Sequence, residues 1–472
     1  MALSLRRAKI LVTLGPACYS KQGIDNLIRA GANGFRINCS HSGAEIRKIL
    51  VERIRHARRS KYIPVMFDLP GHKIRVTGTS AEPLKVSKSE QIYLLADGAS
   101  TGGKWACIGI TKFPDNLTAG DAVLLGDGAV ELEVIAAESH KVLCRSASGG
   151  LVKKGQGVVF VGKGYTEIGL TKEDIECIRQ AAELDVDWIA QSMVSSVDDV
   201  MRCRQVMDEV SCRAGLIVKL ELPEAVNQVD QILNICDGVM VARGDLGLQM
   251  RIEQIPALQK RIILATRRKQ KLGIVATQML ESMVENPSPT RAEATDVANA
   301  VWDGADVLML SEETAVGKYP IYAVKTMSKL IEEAEKYRQN YLSFAEYDYL
   351  DEASAVARAA VALADAAHAK LIVAFTESGA TGQRLSCMRP PVPLLAYTTS
   401  ERTMRKVSLY WGVNARLYKR YRTTGSMIAA AERDLIKMGM AMPNDLIVVV
   451  SGSPGVVGST DTVKMHRLKY VV

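Results

Sequence analysis

A parallel (β/α)8 TIM barrel with an all-β lid inserted after strand three, followed by a separate C-terminal α/β domain, is the fold the sequence predicts. Three observations predict it. Short apolar strands alternate with helical pattern through most of the first part of the chain. A stretch of roughly 90 residues with strand-and-turn pattern interrupts that rhythm once, far too long for a βα loop. A fresh α/β alternation then begins near Asp351. The units implied are 1–75 with 163–345 for the barrel, 76–162 for the lid and 346–472 for the last domain. An open doubly wound sheet is the alternative, but eight β/α units fit a closed barrel better.

The barrel strands are expected at Ile10–Leu14, Gly34–Ser40, Pro64–Leu69, Trp188–Ser192, Leu216–Glu221, Val239–Arg243, Ile274–Gln278 and Val307–Ser311. Helical pattern follows most of them. Ile24–Ala30 stops at Gly31, and Thr171-Lys172-Glu173-Asp174 is a capping box ahead of an apolar-periodic run. In the insert, strands are expected at Ile92–Leu95, Ala122–Leu125, Ala129–Val134 and Gly157–Val161, with a turn at Gly126-Asp127-Gly128. The last domain opens with an Ala-rich helix, Ser354–Ala369. Its strands are expected at Leu371–Phe375, Val392–Tyr397, Ala415–Tyr418, Leu446–Ser451 and Thr462–Leu468.

Composition narrows the class. The chain has 472 residues, 47% hydrophobic and 24% charged, enough for two to four domains with large cores. Met1 to Arg7 is basic but leads straight into a strand, and no apolar run is long enough to span a bilayer. The nine cysteines are odd in number and lack a paired CxxC pattern, which points to reduced thiols in the cytoplasm rather than disulfides or zinc. The net charge of +8 is modest. Two basic runs, Arg55-His56-Ala57-Arg58-Arg59-Ser60-Lys61 and Arg267-Arg268-Lys269-Gln270-Lys271, fall at expected helix ends without aromatic interleaving. Solvated helix C-termini explain them better than nucleic acid, so neither a nucleic acid nor a membrane is an expected partner.

In barrels of this kind the chemistry collects at the C-terminal strand ends. Those ends carry Thr13; Arg36, Asn38 and Ser40; Asp68; Gln191 and Ser192; Lys219 and Glu221; Arg243 and Asp245; Thr277 and Gln278; then Ser311, Glu312 and Glu313. Strand alternation puts Lys219 and Glu221 on one face, and Arg36, Asn38 and Ser40 on another. An ammonium beside Glu221 and Asp245 suits a hard divalent cation and an oxygen-rich anionic substrate. A structural ion-pair cluster is the other reading of the same trio. Convergence of so many polar ends favours an active site in which Arg36, Arg243 and Lys219 hold a phosphorylated or carboxylated substrate.

At this point the chain resembles the pyruvate kinase family. The resemblance rests on Thr13-Leu14-Gly15-Pro16-Ala17, Phe35-Arg36-Ile37-Asn38-Cys39-Ser40-His41, Val241-Ala242-Arg243-Gly244-Asp245-Leu246-Gly247 and Ala276-Thr277-Gln278-Met279-Leu280-Glu281-Ser282-Met283. It continues through Pro289-Thr290-Arg291-Ala292-Glu293 and Asp296-Val297-Ala298-Asn299-Ala300-Val301. Motifs of this length in order are far more specific than a short Gly-rich match. The resemblance implies phosphoryl transfer from phosphoenolpyruvate to ADP, giving ATP and, after protonation of the enolate, pyruvate. It assigns Lys219 to the transferring group, Arg36 to the phosphate, and Thr277 to the enolate carbon. Backbone N–H groups of Ala242, Arg243, Gly244 and Asp245 would take the substrate carboxylate. Glu221 and Asp245 would hold Mg²⁺ or Mn²⁺, and Arg36, Asn38, His41, Arg75 and Lys154 would bind the nucleotide. The family is usually tetrameric, which implies a homotetramer.

The sequence also departs from the family. Met193 and Ser195 stand where a Phe and an Arg are common, and Leu222-Pro223-Glu224-Ala225 replaces an Asn-His-Glu-Gly type segment. Glu312 replaces a Gly in Ser311-Glu312-Glu313-Thr314-Ala315, adding negative charge near an anionic site; Gly157 occupies a usual Asn position. In potassium-dependent members a glutamate stands where Asp68-Leu69-Pro70-Gly71-His72-Lys73-Ile74-Arg75 has Lys73. By the same resemblance, Asn38, Ser40, Asp68 and the Leu69 carbonyl would be the potassium ligands. However, two unit charges roughly 5 Å apart at an effective dielectric of about 20 repel by around 3 kcal/mol, so Lys73 is expected to replace K⁺. The alternative is that Lys73 pairs with Asp68 or Glu221 and leaves the ion site working.

In the last domain, Thr376, Ser378, Gly379 and Thr381 form a small-hydroxyl loop before a helix. It is either a phosphate cradle or an ordinary capped turn. In regulated members of the family the matching loop binds a sugar-phosphate effector. Glu377 stands where members activated by fructose 1,6-bisphosphate carry a lysine, so no activation by that sugar is expected, with a monophosphate or nucleotide left open. Two rival readings of the whole chain remain. One is a non-catalytic paralogue that senses a phosphorylated metabolite. The other is a different metal-dependent barrel enzyme acting on phosphoenolpyruvate or a 2-oxo acid.

Overall fold

The structure, a computed structural model, describes residues 6–56, 62–126, 128–163, 169–337, 351–419, 423–452 and 459–469. The start of the N-terminal stretch (1–5), most of the first basic run (57–61), Asp127 of the expected turn and the expected boundary at 345/346 lie outside the described residues.

Eight parallel strands close into a barrel: Lys9–Thr13, Gly34–Asn38, Val65–Asp68, Trp188–Gln191, Gly215–Leu220, Gly238–Ala242, Leu272–Ala276 and Val307–Leu310. The first pairs with the last, Lys9 opposite Val307. The expected strands overran these ends by one or two residues, and each discrepancy has a local cause. Strand two stops at Asn38 because its side-chain oxygen accepts the Ser40 N–H at 3.1 Å and starts a 3-10 turn, Cys39–His41. Strand seven stops at Ala276 because Thr277 and Gln278 take left-handed φ values of 67° and 53°. A β-branched residue there is uncommon and costs on the order of 1–3 kcal/mol, which the surroundings must sustain.

Helix Lys21–Ala30 ends at Gly31 as expected, and the Thr171 hydroxyl caps helix Lys172–Glu183 through the Asp174 N–H. The apolar side chains between strands and helices form the larger core. A second core runs from the barrel interior (Leu11, Met66, Ile217, Met240) into the C-terminal domain. Trp188 packs edge-on against Tyr410, centroids 6.3 Å apart. Gly215 has to be glycine, since a Cβ there would lie 2.4 Å from the Trp188 ring. Ion pairs Arg405 to Asp187 (2.7 Å) and Arg389 to Asp306 (2.7 Å) fasten the C-terminal domain to the N-terminal end of the barrel.

The lid sits at the opposite end. It is a seven-stranded sheet plus a two-stranded one with its own core, including Leu94, Val123, Leu132 and Phe160. Five of its strands were not anticipated: Val76–Thr79, Leu84–Val86, Trp105–Ile108, Lys141–Ser146 and Gly150–Val152. The C-terminal domain is a five-stranded sheet. Strands Leu371–Phe375, Leu394–Thr398, Val413–Leu417 and Leu446–Ser451 are parallel, and Thr462–Arg467 is an antiparallel edge. Among the described residues no helix is long and apolar enough to cross a membrane.

Candidate active site at the barrel mouth

Side chains from five strand ends converge on one cavity of about 500 Å³ at the C-terminal mouth. Asp68 is its hub. One carboxylate oxygen accepts Arg36 Nε at 2.6 Å, and the other lies 3.2 Å from Lys219 Nζ. Lys219 also reaches Glu221 Oε1 at 2.7 Å and Ser192 Oγ at 2.8 Å. The Ser192 hydroxyl donates to the Leu69 carbonyl at 2.7 Å, and the Met193 N–H donates to Glu221 Oε2 at 2.7 Å. Asn38, Ser40, His41 and Arg75 line the same cavity. Ser40 arrives on the 3-10 turn rather than by strand alternation.

Burial alone would lower the Lys219 pKa, but Asp68, Glu221 and Asp245 outweigh it, and the ammonium is held well above its ordinary value. Burial pushes the Asp68 carboxyl up, yet Arg36 and Lys219 bring it below the usual carboxylate range. Glu221 stays raised, by burial and by the charge of Asp245, with Lys219 opposing. Asp245 is lowered, burial being overcome by Lys73 and Lys219. The site therefore holds a permanent ammonium among three carboxyl groups in different electrostatic states.

Lys73 Nζ lies 2.8 Å from Asp245 Oδ1. It pairs with neither Asp68 nor Glu221, so the expected alternative pairing is corrected. The lid strand Val158–Phe160 and Lys163 close over Glu221 and Asp245 from above. The two carboxylates and the two lysines thus meet where barrel and lid face each other.

Arg243 is a second correction. Its guanidinium does not enter the cavity with Arg36 and Lys219. Its Nη1 donates to both oxygens of Asp296, at 2.7 and 2.6 Å, and its Nη2 donates to the Thr277 carbonyl at 2.7 Å. It braces the Thr277 turn instead of gripping an anion. Thr277 Oγ1 in turn accepts the Gly244 N–H at 2.8 Å and donates to the Ala276 carbonyl at 2.6 Å. The segment Ala242–Asp245 and Thr277 are therefore adjacent, with the Gly244 N–H already engaged.

Lys154 stays apart on the lid, where its backbone N–H bonds the Glu82 carboxylate. Glu312 is exposed, whereas Glu313 is buried and accepts the Leu280 and Ser311 N–H groups at 3.0 and 2.7 Å. In the C-terminal loop, Thr376 Oγ1 accepts the Gly379 N–H at 3.0 Å, and Thr381 pairs with Thr460 at 2.8 Å. Sequence reasoning gave Ser192 and the Met193 N–H no role. Ser192 stood among the strand ends, but the left-handed φ of 55° that aims the Met193 N–H at Glu221 has no sequence signature.

A closed parallel barrel with a buried lysine, paired carboxylates and an arginine at its C-terminal mouth defines an enzyme that handles a small oxygen-rich anion. The comparisons agree with that class. Residues 5–324 match the pyruvate kinase barrel domain, and residues 354–466 match the pyruvate kinase alpha/beta domain. The chain is 38% identical over 468 residues to a pyruvate kinase of Mycobacterium tuberculosis, covering 98% of each chain. It is 36% identical over 467 residues to that of Thermotoga maritima, covering 98% of this chain and 100% of the relative. The crystal structure of a Cryptosporidium parvum pyruvate kinase superposes with a TM-score of 0.90 at 28% identity, over 98% of this chain and 96% of that one. The chain belongs to the pyruvate kinase family and is a phosphotransferase.

Proposed function

We propose that this enzyme transfers the phosphoryl group of phosphoenolpyruvate to ADP, giving pyruvate and ATP, without a requirement for K⁺. The observation that carries this reading is Lys219, held charged between Asp68 and Glu221 at the floor of the mouth. Phosphoryl transfer passes through a loose transition state whose charge sits on equatorial oxygens, so positioning and cations supply most of the catalysis. Lys219 supplies such a cation where it is needed. Arg36, fixed by Asp68, orients the phosphate. The Ala242–Asp245 segment takes the carboxylate through its N–H groups, and Thr277 relays a proton to the enolate carbon through water. Asn38, His41 and Arg75 receive the nucleotide, with Lys154 joining them from the lid.

Glu221 and Asp245 fit a divalent cation: both face one cavity, each beside a lysine, and Glu221 is further oriented by the Met193 N–H. Among the described residues no group of three or more His, Cys, Asp or Glu forms an all-protein cage. That suits Mg²⁺ or Mn²⁺, which completes its shell with substrate oxygens and water. Held by Glu221 and Asp245, such an ion would supply charge neutralisation at the phosphoryl group. Potassium is dispensable in this reading because Lys73 brings a fixed charge to the cavity that contains Asn38, Ser40, Asp68 and Leu69. The Leu69 carbonyl, moreover, already accepts Ser192.

We further take the units as 1–75 with 163–345, 76–162 and 346–472, the assembly as a homotetramer in the cytoplasm, and Thr376–Thr381 as an effector loop. The test of the reaction is a coupled assay for pyruvate and ATP from phosphoenolpyruvate, ADP and Mg²⁺. Pyruvate that depends on ADP supports it. Purified protein that makes none would leave the sensing paralogue or the other barrel enzyme.

A further inference from the structure

The nine cysteines are all free thiols, and all but Cys107 are buried. For several of them burial decides the chemistry. It pushes Cys144, Cys203 and Cys387 up to about 12, where a thiol is inert. Cys177 goes the other way. Its thiol is held below the ordinary value by the hydrogen bond from Cys39, with burial opposing and the Arg47 charge assisting.

The fold brings these two sulfurs together. Cys39 opens the 3-10 turn after strand two, next to Asn38 and Ser40 in the wall of the mouth. Its sulfur lies 3.8 Å from the Ile37 carbonyl. Cys177 stands on helix Lys172–Glu183, one turn before Gln180 and on the same face. Arg47, from helix Ala44–His56, joins the two segments. Its Nη1 donates to the Cys39 carbonyl at 3.3 Å and its Nε to Gln180 Oε1 at 2.6 Å. Gln180 Nε2 in turn donates to the Ala44 carbonyl at 2.6 Å. Cys39 and Cys177 are thus fixed as thiol–thiol neighbours inside one apolar core, beside a guanidinium.

We propose that Cys39 and Cys177 form a redox-active dithiol that closes to a disulfide when a peroxide reaches it. The Cys177 thiolate attacks the peroxide, so that an S–O bond forms as the O–O bond breaks. The departing hydroxide takes a proton and leaves as water, and Cys177 becomes a sulfenic acid. The Cys39 thiol then displaces that hydroxyl group, which forms the S–S bond and releases a second water. Two thiols have then given two electrons and two protons to one peroxide. Sulfurs already in hydrogen-bond contact need only approach to about 2.05 Å. The bond would staple the turn that carries Ser40 and His41 to the helix whose Asp174 holds the Gly71 N–H at 2.9 Å. The proposal does not depend on the reaction proposed above.

The test treats the full chain with hydrogen peroxide, alkylates the remaining thiols after denaturation, and maps unreduced peptides by mass spectrometry. A linked Cys39–Cys177 peptide is expected to accumulate with peroxide and to vanish on reduction with dithiothreitol. In Cys177→Ala, which lacks the attacking thiolate, Cys39 should be oxidised about tenfold more slowly or less; an equal rate would overturn the proposal. The wild-type map stands without the variant, so a misfolded variant leaves the test intact. Peroxide sufficient to oxidise Cys107 while Cys39 and Cys177 both remain alkylated would overturn the proposal. So would either sulfur linked to a different cysteine, or carried to the sulfinic acid in place of this disulfide.

Discussion

Replacing Lys219 by methionine separates a catalytic cation from a structural one. In the folded protein Lys219 Nζ lies 2.7 Å from Glu221 and 3.2 Å from Asp68. Asp68 keeps Arg36 at 2.6 Å in the variant, whereas Glu221 keeps only the Met193 N–H. Glu221 is therefore the charge left stranded. A unit pair at that spacing attracts by about 6 kcal/mol at an effective dielectric of 20, and breaking a buried pair typically costs about 3–5 kcal/mol of stability. Glu221 already has a raised pKa, so its stabilising proton is fully present below the unfolded value and lost as pH rises through the folded value. Without Lys219 that folded value climbs further. The melting-temperature gap between wild type and Lys219→Met should therefore widen as pH rises above the ordinary carboxylate range. Turnover, followed by reducing the pyruvate formed, should fall about a thousandfold or more per folded molecule, equivalent to about 4 kcal/mol, with little change in the phosphoenolpyruvate dependence. A loss of less than about tenfold per folded molecule would mean that Lys219 is part of an ion-pair cluster and not the main stabiliser of the transferring group.

Glu221→Gln and Asp245→Asn should each raise the Mg²⁺ concentration for half-maximal rate sharply; an unchanged Mg²⁺ titration would remove them as metal ligands. The wild-type enzyme should be near fully active with a bulky tetraalkylammonium as the sole monovalent cation, and Lys73→Glu should become K⁺-dependent. Stimulation of the wild type by K⁺ of more than about tenfold, or 1.4 kcal/mol, refutes the built-in charge. Micromolar fructose 1,6-bisphosphate should not activate, because Glu377 repels a bisphosphate; strong activation would show that the loop reading is wrong.

Much of the fold was legible because period and punctuation are local. The eight barrel strands read as apolar runs ending in polar residues, and Thr171 and Gly31 announced helix ends by their chemistry. The lid was less legible. Leu84–Val86 and Gly150–Val152 are three residues each and pair with one another across more than sixty residues of chain, a contact that no local pattern encodes. The site divides the same way. Lys219, Glu221, Asp68 and Arg36 could be placed at one mouth because each stands at the C-terminal end of a barrel strand. Arg243 could not, because its direction is decided by Asp296, far along the chain on the helix after strand seven. The basic run at Arg267–Lys271 falls at a helix end with Arg268 and Lys269 exposed, as expected, but the burial of Arg267 was not legible. A helix end looks solvated until the domain that packs beside it is known.

The charges at the mouth nearly balance: Asp68, Glu221 and Asp245 against Arg36, Lys219, Lys73 and Arg75, one cation in excess. A glutamate in place of Lys73 would make the same set two charges more negative. An anionic substrate would then meet net repulsion unless a cation such as potassium entered with it. The two lysines are not equivalent in this balance. Lys219 is 11% exposed and bound on three sides, so it is fixed. Lys73 is 31% exposed, with a single carboxylate contact, to Asp245. A half-exposed ammonium on a flexible stem loses little by exchanging one oxygen for another. Lys73 would thus be suited to remain near the anion if a divalent cation took Asp245, keeping its charge in the site while the pairing changed.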